Sequence, residues 1–202
     1  MPKMHYSLKL ANEVYVTVSG MKKLFDEKKV FIIGYGSLLF EHGWSRRDMK
    51  VVTKATNLIE CCVNGYKRGT FGIKSGIHFY GAIQDKKEHF NAIITPISSF
   101  NDWASLMRTE YIAGIYKDYN YRVVDVTDSI SGVKLPKQIV VHMVVNDAEN
   151  AIMFNRFSPA PCYYNYVWQG IKRERSKEFQ KEFLNTGGVK YAKKYIKNIS
   201  YI

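Results

Sequence analysis

Cysteine and proline are scarce in this 202-residue chain, with three and five residues. Cys61, Cys62 and Cys162 form no C-x-x-C pair and leave an odd thiol, so a disulfide scaffold is excluded. Nothing local activates Cys61 or Cys62, which sit in a strand-like run, so a cysteine nucleophile is not expected. The five histidines (His5, His42, His78, His89, His142) are scattered, and none lies at metal-ligand spacing from another ligand type. No metal site is expected. Gly34-Tyr35-Gly36 begins a dinucleotide fingerprint, but Leu39 stands where the third glycine belongs. There is no phosphate-binding G-x-x-x-x-G-K-[ST] loop, and Ser37 lacks the G-x-S-x-G elbow of a serine hydrolase. No apolar run approaches membrane-spanning length, and Met1 to His5 is too polar for a signal peptide. These absences lead us to expect a cytoplasmic protein of the reducing interior, without membrane contact.

Acidic residues are also in deficit, with 18 Asp and Glu against 30 Lys and Arg, a formal charge of +12. Half of that excess falls in residues 171–202, which carry nine basic and three acidic side chains. A solvated, Lys-rich tail explains this, and a nucleic-acid or acidic partner is the alternative, although no recognised nucleic-acid motif accompanies the charge. The charge bears on partners and solubility and leaves the fold open. The oligomeric state cannot be read from the sequence.

What the sequence does have is a short apolar run, Val30 to Ile33, ending in Gly34-Tyr35-Gly36-Ser37-Leu38. This pattern predicts a buried strand that stops at a tight loop. Glycines on either side of Tyr35 let the main chain approach a ligand, because no Cβ blocks the way. Successive loop N–H groups suit a carboxylate or carbonyl oxygen.

Further strands are expected at 14–18, 58–63, 79–83, 89–97, 120–126 and 138–145, with Asn64-Gly65 as a turn. Gln84 to Lys87 reads as a hairpin-like connection, and 66–78 as irregular. Helices are expected at 21–29, from Ser98 or Ser99 to Tyr111, from Pro161 towards Arg173, and around 176–184. Gly114 suits a turn, and Gly187-Gly188 suits a helix end. Phe100, Trp103, Leu106 and Met107 give the Ser99–Tyr111 helix an apolar face. The expected fold class is α+β: a small curved sheet or barrel of mixed strands, flanking helices and a helical C-terminal segment. Residues 1–29 read as an N-terminal extension packed on the domain, 30–186 as the domain and 187–202 as a basic tail.

Five segments read together carry a family resemblance. Tyr35-Gly36-Ser37-Leu38 is similar to the YGSL/YGSN loop of the γ-glutamylcyclotransferase-like superfamily, which includes the AIG2-like proteins. Gly65-Tyr66-Lys67-Arg68 resembles its G-Y-x-R segment, and Leu106 to Tyr111 its L-D-x-x-E-x helix end. Asn120 to Val126 resembles the strand that follows, and the stretch from Pro161 to Gly170 its C-terminal part. The order is the family's, across about residues 30 to 186. Met107 stands where many members carry Asp, and Tyr111 where Gly is frequent.

The resemblance implies cyclisation of a γ-glutamyl compound to 5-oxoproline with release of an amine or amino acid. That reaction needs no cofactor, because the substrate's own α-amine attacks its γ-carbonyl. It implies Glu110 as the general acid and base. It implies a substrate cradle formed by Tyr35, Gly36, Ser37 and Leu38 and lined by Tyr121. Tyr66, Arg68 and Arg122 are further candidates for substrate contact, each with a structural alternative. The expected partner is a small γ-glutamyl molecule. Two other readings stay open: a divergent small-molecule-binding protein on the same fold, and a nucleic-acid- or partner-binding protein.

Overall fold

The structure is a computed structural model that describes residues 8–9, 18–45, 58–74, 77–112, 121–146 and 161–186. Within them, one mixed sheet has the order β1-β5-β7-β2-β4-β3-β6. The strands are β1 (Leu8–Lys9), β2 (Lys29–Gly34), β3 (Ile59–Lys74), β4 (Ile77–Ile97), β5 (Tyr121–Asp125), β6 (Ile130–Ser131) and β7 (Ile139–Asn146). Five helices accompany them: α1 (Val18–Glu27), α2 (Glu41–Ser45), α3 (Phe100–Ile112), α4 (Pro161–Glu174) and α5 (Lys177–Asn185).

β2 lies at the centre, parallel to β7 and antiparallel to β4. Its residues from Val30 onwards are buried on both faces, which is why the sequence shows an unbroken apolar run rather than an alternation. One face, with Val30 and Ile32, packs against Met21 of α1, Trp103, Leu106 and Met107 of α3, Val167 and Ile171 of α4, and Phe179 and Phe183 of α5. The other face, with Phe31 and Ile33, buries Val63, Phe90, Ile94, Val141 and Met143, all of them strand residues. No helical residue joins that second cluster among the described residues. A face that buries itself without a covering helix does so by curling, which gives the barrel-like form expected from the sequence.

The longest strands depart from the sequence reading. Within the stretch 66–78, expected as irregular, residues 66–74 extend β3 and 77–78 begin β4, and Gln84 to Lys87 continues β4 rather than joining two strands. Asn64-Gly65 runs on within β3 instead of ending a strand: Gly65 has φ 78°, and the register shifts there, residue 65 alone facing residues 85–88 of β4. A second shift falls between Gly69 and Gly72. Bulges increase local twist, so the same glycines that mark loops in the sequence bend a long ribbon here. The strand expected at 14–18 falls outside the described residues except for Val18, which opens α1. Gly114 and Gly187-Gly188 also lie outside them. Met21, within the expected N-terminal extension, is 1% exposed in the main core.

Ser99 caps α3: its hydroxyl accepts from the Asp102 amide at 3.2 Å and donates to the Asp102 carboxylate at 2.7 Å. Ser176 caps α5 in the same way through the Phe179 amide at 3.1 Å, and is itself gripped by Glu60 of β3 at 2.6 and 2.8 Å. Among the described residues no helix is long and apolar enough to cross a membrane.

Candidate active site

At Gly34 the central strand opens into Tyr35–Leu39. The Tyr35 hydroxyl donates to the Val144 carbonyl of β7 at 2.7 Å, and its ring meets Phe90 edge-on. Tyr35 thus fastens the loop to the neighbouring strand. Ser37–Leu39 forms a single 3-10 turn, closed by the Leu39 amide on the Gly36 carbonyl at 3.1 Å. Leu38 and Leu39 are buried, as is Gly36, so the apolar part of the loop packs into the core.

Three close contacts hold this main chain in place. The Trp44 indole donates to the Leu38 carbonyl at 2.8 Å. Gly43 lies directly under the Ser37 carbonyl, where any Cβ would overlap it. Gly170 of α4 packs against the ring of Phe40, again with no room for a Cβ. Glu174, at the end of α4, accepts from the Glu41 amide at 2.7 Å and so ties α4 to the start of α2. The loop is therefore clamped from below by α2 and α4.

Gly36 faces two tyrosines. A Cβ placed there would stand 2.7 Å from the Tyr163 hydroxyl and 3.5 Å from Tyr80 Cβ. Tyr163 also packs on Phe79 and Tyr80, and Tyr80 meets Phe183 of α5 edge-on. Neither tyrosine was among the expected site residues. Their signal is faint: Tyr163 sits in an aromatic run with Tyr164, Tyr166 and Trp168 that reads as helix packing.

Tyr66 and Arg68 both point into the interior from β3. The Arg68 guanidinium donates to the Asn91 carbonyl at 2.7 Å, to Asn91 Oδ1 at 2.9 Å, and to the carbonyl and hydroxyl of Thr186 at 3.0 and 3.2 Å. Its plane lies 4.2 Å from the centre of the Phe183 ring. Asn91 in turn donates to the Phe179 carbonyl at 2.8 Å. Arg68 is thus a clamp between the sheet and α5, and burial lowers its pKa to about 10.

The backbones of Tyr121 and Arg122 pair with Asn146 and Val145 at the end of β7 that also receives Tyr35. Their side chains lie outside the described residues, as does that of Glu110. The helix carrying Glu110 is placed by its other residues. Ile97, just before α3, pairs with Val30 at the start of β2. Three residues into α3, the Trp103 indole donates at 3.2 Å to Nδ1 of His142, which pairs with Ile32. The start of the helix is therefore fixed beside the first half of β2.

His142 is fully buried, and burial lowers its pKa to about 4 against a small opposing pull from Asp125. It is neutral near pH 7, with Nδ1 accepting and Nε2 carrying the proton. Among the described residues, no group of His, Cys, Asp and Glu side chains is arranged to hold a metal ion.

No family model and no curated protein matches the sequence. Solved structures do match by shape. YkqA from Bacillus subtilis aligns at a TM-score of 0.56 and 14% identity, over 83% of this chain and 57% of that one. A gamma-glutamyl cyclotransferase aligns at 0.54 and 14% identity, over 79% of this chain and 88% of that one. An uncharacterized protein from Homo sapiens aligns at 0.53 and 15% identity, over 79% and 89%. The chain spans a little over half the length of the YkqA structure. At these identities the likeness establishes the fold, which is γ-glutamylcyclotransferase-like.

Proposed function

We propose that this γ-glutamylcyclotransferase-like fold cyclises a γ-glutamyl compound to 5-oxoproline. The observation that carries the reading is the clamped Tyr35–Leu39 loop, with the start of β5 at the same end of the sheet. Backbone N–H groups of a rigidly held, glycine-containing loop suit the glutamyl α-carboxylate and the carbonyl under attack.

The reaction is balanced within the substrate. Once the α-ammonium has given one proton to solvent, the amine nitrogen bonds to the γ-carbonyl carbon, the old C–N bond breaks, and a further proton passes from that nitrogen to the departing one, which takes up a second from solvent to leave as an ammonium. Glu110 is the proton carrier in this account, taking the proton from one nitrogen and returning it to the other. The loop's contribution is to hold the substrate folded, since bringing amine and carbonyl together removes most of the entropic barrier. The Glu110 helix is fixed by its Ser99 cap and by the Trp103–His142 hydrogen bond.

The partner in this reading is a small molecule, and the reaction calls for no cofactor. Incubation with glutathione, γ-glutamyl dipeptides and γ-glutamyl amines tests it by chromatographic detection of 5-oxoproline. Release from at least one class is expected. Release from none would remove the reaction and leave only the fold.

A further inference from the structure

We propose that Asn146 is a positioning residue for the cyclisation: its side chain joins β7 to β4 and so fixes the Tyr35–Leu39 loop, which touches both strands. The proposal rests on the cyclotransferase reading and adds to it a residue outside the loop.

β2 stands between β7 and β4 in the sheet, so those two strands are not ladder neighbours. β2 meets β7 only from Lys29 to Ile32, opposite Ile139 to His142. The last four residues of β7, from Met143 to Asn146, pair with β5 and have no β2 partner among the described residues. Beyond that point a side chain makes the connection: Asn146 Oδ1 accepts from the Ala82 amide of β4 at 3.2 Å. A backbone N–H can only donate, so the atom facing it is the carboxamide oxygen. The bond is shielded from water, with Ala82 0% and Asn146 8% exposed. Gly81 permits the close approach, because a Cβ there would overlap Asn146 Oδ1.

The loop is held at both of these strands. The Tyr35 hydroxyl donates to the Val144 carbonyl, two residues before Asn146. Gly36 lies beside Tyr80, two residues before Ala82. The contacts Tyr35–Val144, Asn146–Ala82 and Tyr80–Gly36 thus close a ring, in which the Asn146 bond links the two strands directly. Tyr121 stands opposite Asn146 in the β5–β7 ladder, so the backbone of the strand expected to line the cradle is tied to the same residue. Without the bond, the Ala82 N–H is buried and unpaired, and the two strands that hold Tyr35 and Gly36 are no longer joined there. A cradle for intramolecular attack tolerates little movement, because a displacement of about 1 Å can cost roughly a hundredfold in rate.

Asn146→Leu removes the acceptor at similar size, and Asn146→Asp keeps an oxygen in its place. Asn146→Ser, too short to reach Ala82, replaces the leucine variant if that one does not fold. One measurement is kcat and KM for 5-oxoproline release from the γ-glutamyl substrate that the wild type turns over fastest. The other is amide hydrogen exchange by NMR at Ala82 and at Leu39, whose amide closes the 3-10 turn of the loop, with Ile32 of β2 as the internal reference. Asn146→Leu is expected to lower kcat at least about tenfold. It is also expected to speed exchange at Ala82 and Leu39 about tenfold relative to Ile32. Asn146→Asp is expected to return both amides to slow exchange. A residue that serves stability alone would lower the melting temperature and leave kcat of the folded enzyme unmoved. Wild-type kcat in Asn146→Leu, wild-type exchange at Leu39, or faster exchange that Asn146→Asp does not reverse overturns the proposal. If the wild type releases no 5-oxoproline, the reaction reading has failed, and exchange at Leu39 decides about Asn146. Faster exchange in Asn146→Leu then sustains its hold on the loop, and equal exchange overturns it.

Discussion

Gly36 and Tyr163 touch across 127 residues of sequence: a Cβ on the glycine would stand 2.7 Å from the tyrosine hydroxyl. The obstacle is the far end of one side chain, which can swing aside. A larger residue at 36 therefore fills the space above the loop without breaking the core. Gly36→Val is expected to abolish binding of γ-glutamyl ligands in calorimetry while leaving the melting temperature within a few degrees of wild type. Unchanged affinity would mean that the loop is only a strand-ending turn.

Arg68 joins the sheet to α5 through Asn91 and Thr186, with Phe183 beneath its plane. Arg68→Met removes the donors and strands buried acceptors, at a cost of about 2–3 kcal/mol. The expected result is a lower denaturant midpoint with an unchanged slope. An unshifted midpoint would contradict the clamp.

His142 makes folding sensitive to acid. Facing it are Trp103 from α3 and Asp125 from β5. The unfolded histidine takes up a proton below its ordinary value of 6.5, whereas the folded one waits until about 4. The unfolded state therefore binds more protons in that window, and stability rises with pH across it. This contribution is fully present above pH 6.5 and is lost as pH falls towards 4, a change of roughly 3 kcal/mol. His142→Gln keeps a hydrogen-bond acceptor for Trp103 and does not titrate there. Urea denaturation between pH 7.5 and 4.5 should show a smaller loss in the variant than in the wild type. Equal losses would place the acid sensitivity elsewhere.

The parts legible in the sequence were those governed by local rules. β2 showed as an apolar run, α3 as an amphipathic helix capped by Ser98 or Ser99, and Pro161 as the opening of α4. The β3–β4 ribbon was not legible, because shifts at Gly65 and between Gly69 and Gly72 are properties of a register between two strands, and a glycine alone reads equally well as a turn. In the site, the Tyr35–Leu38 loop was visible as a motif. The wall of Tyr80 and Tyr163 was not, since it depends on how α4 is laid over the loop, which Gly43 and Gly170 permit by packing without a Cβ. Arg68 was seen as a candidate for substrate contact, but only its hydrogen bonds to Asn91 and Thr186 reveal the clamp.

The most direct test of the account compares 5-oxoproline release by the wild type and by Glu110→Gln on the same γ-glutamyl substrates. The amide preserves size and the helix but cannot carry the proton. The account predicts release by the wild type, a loss of at least about a hundredfold in kcat in the variant, and an unchanged melting temperature. Equal turnover by the two proteins would contradict it.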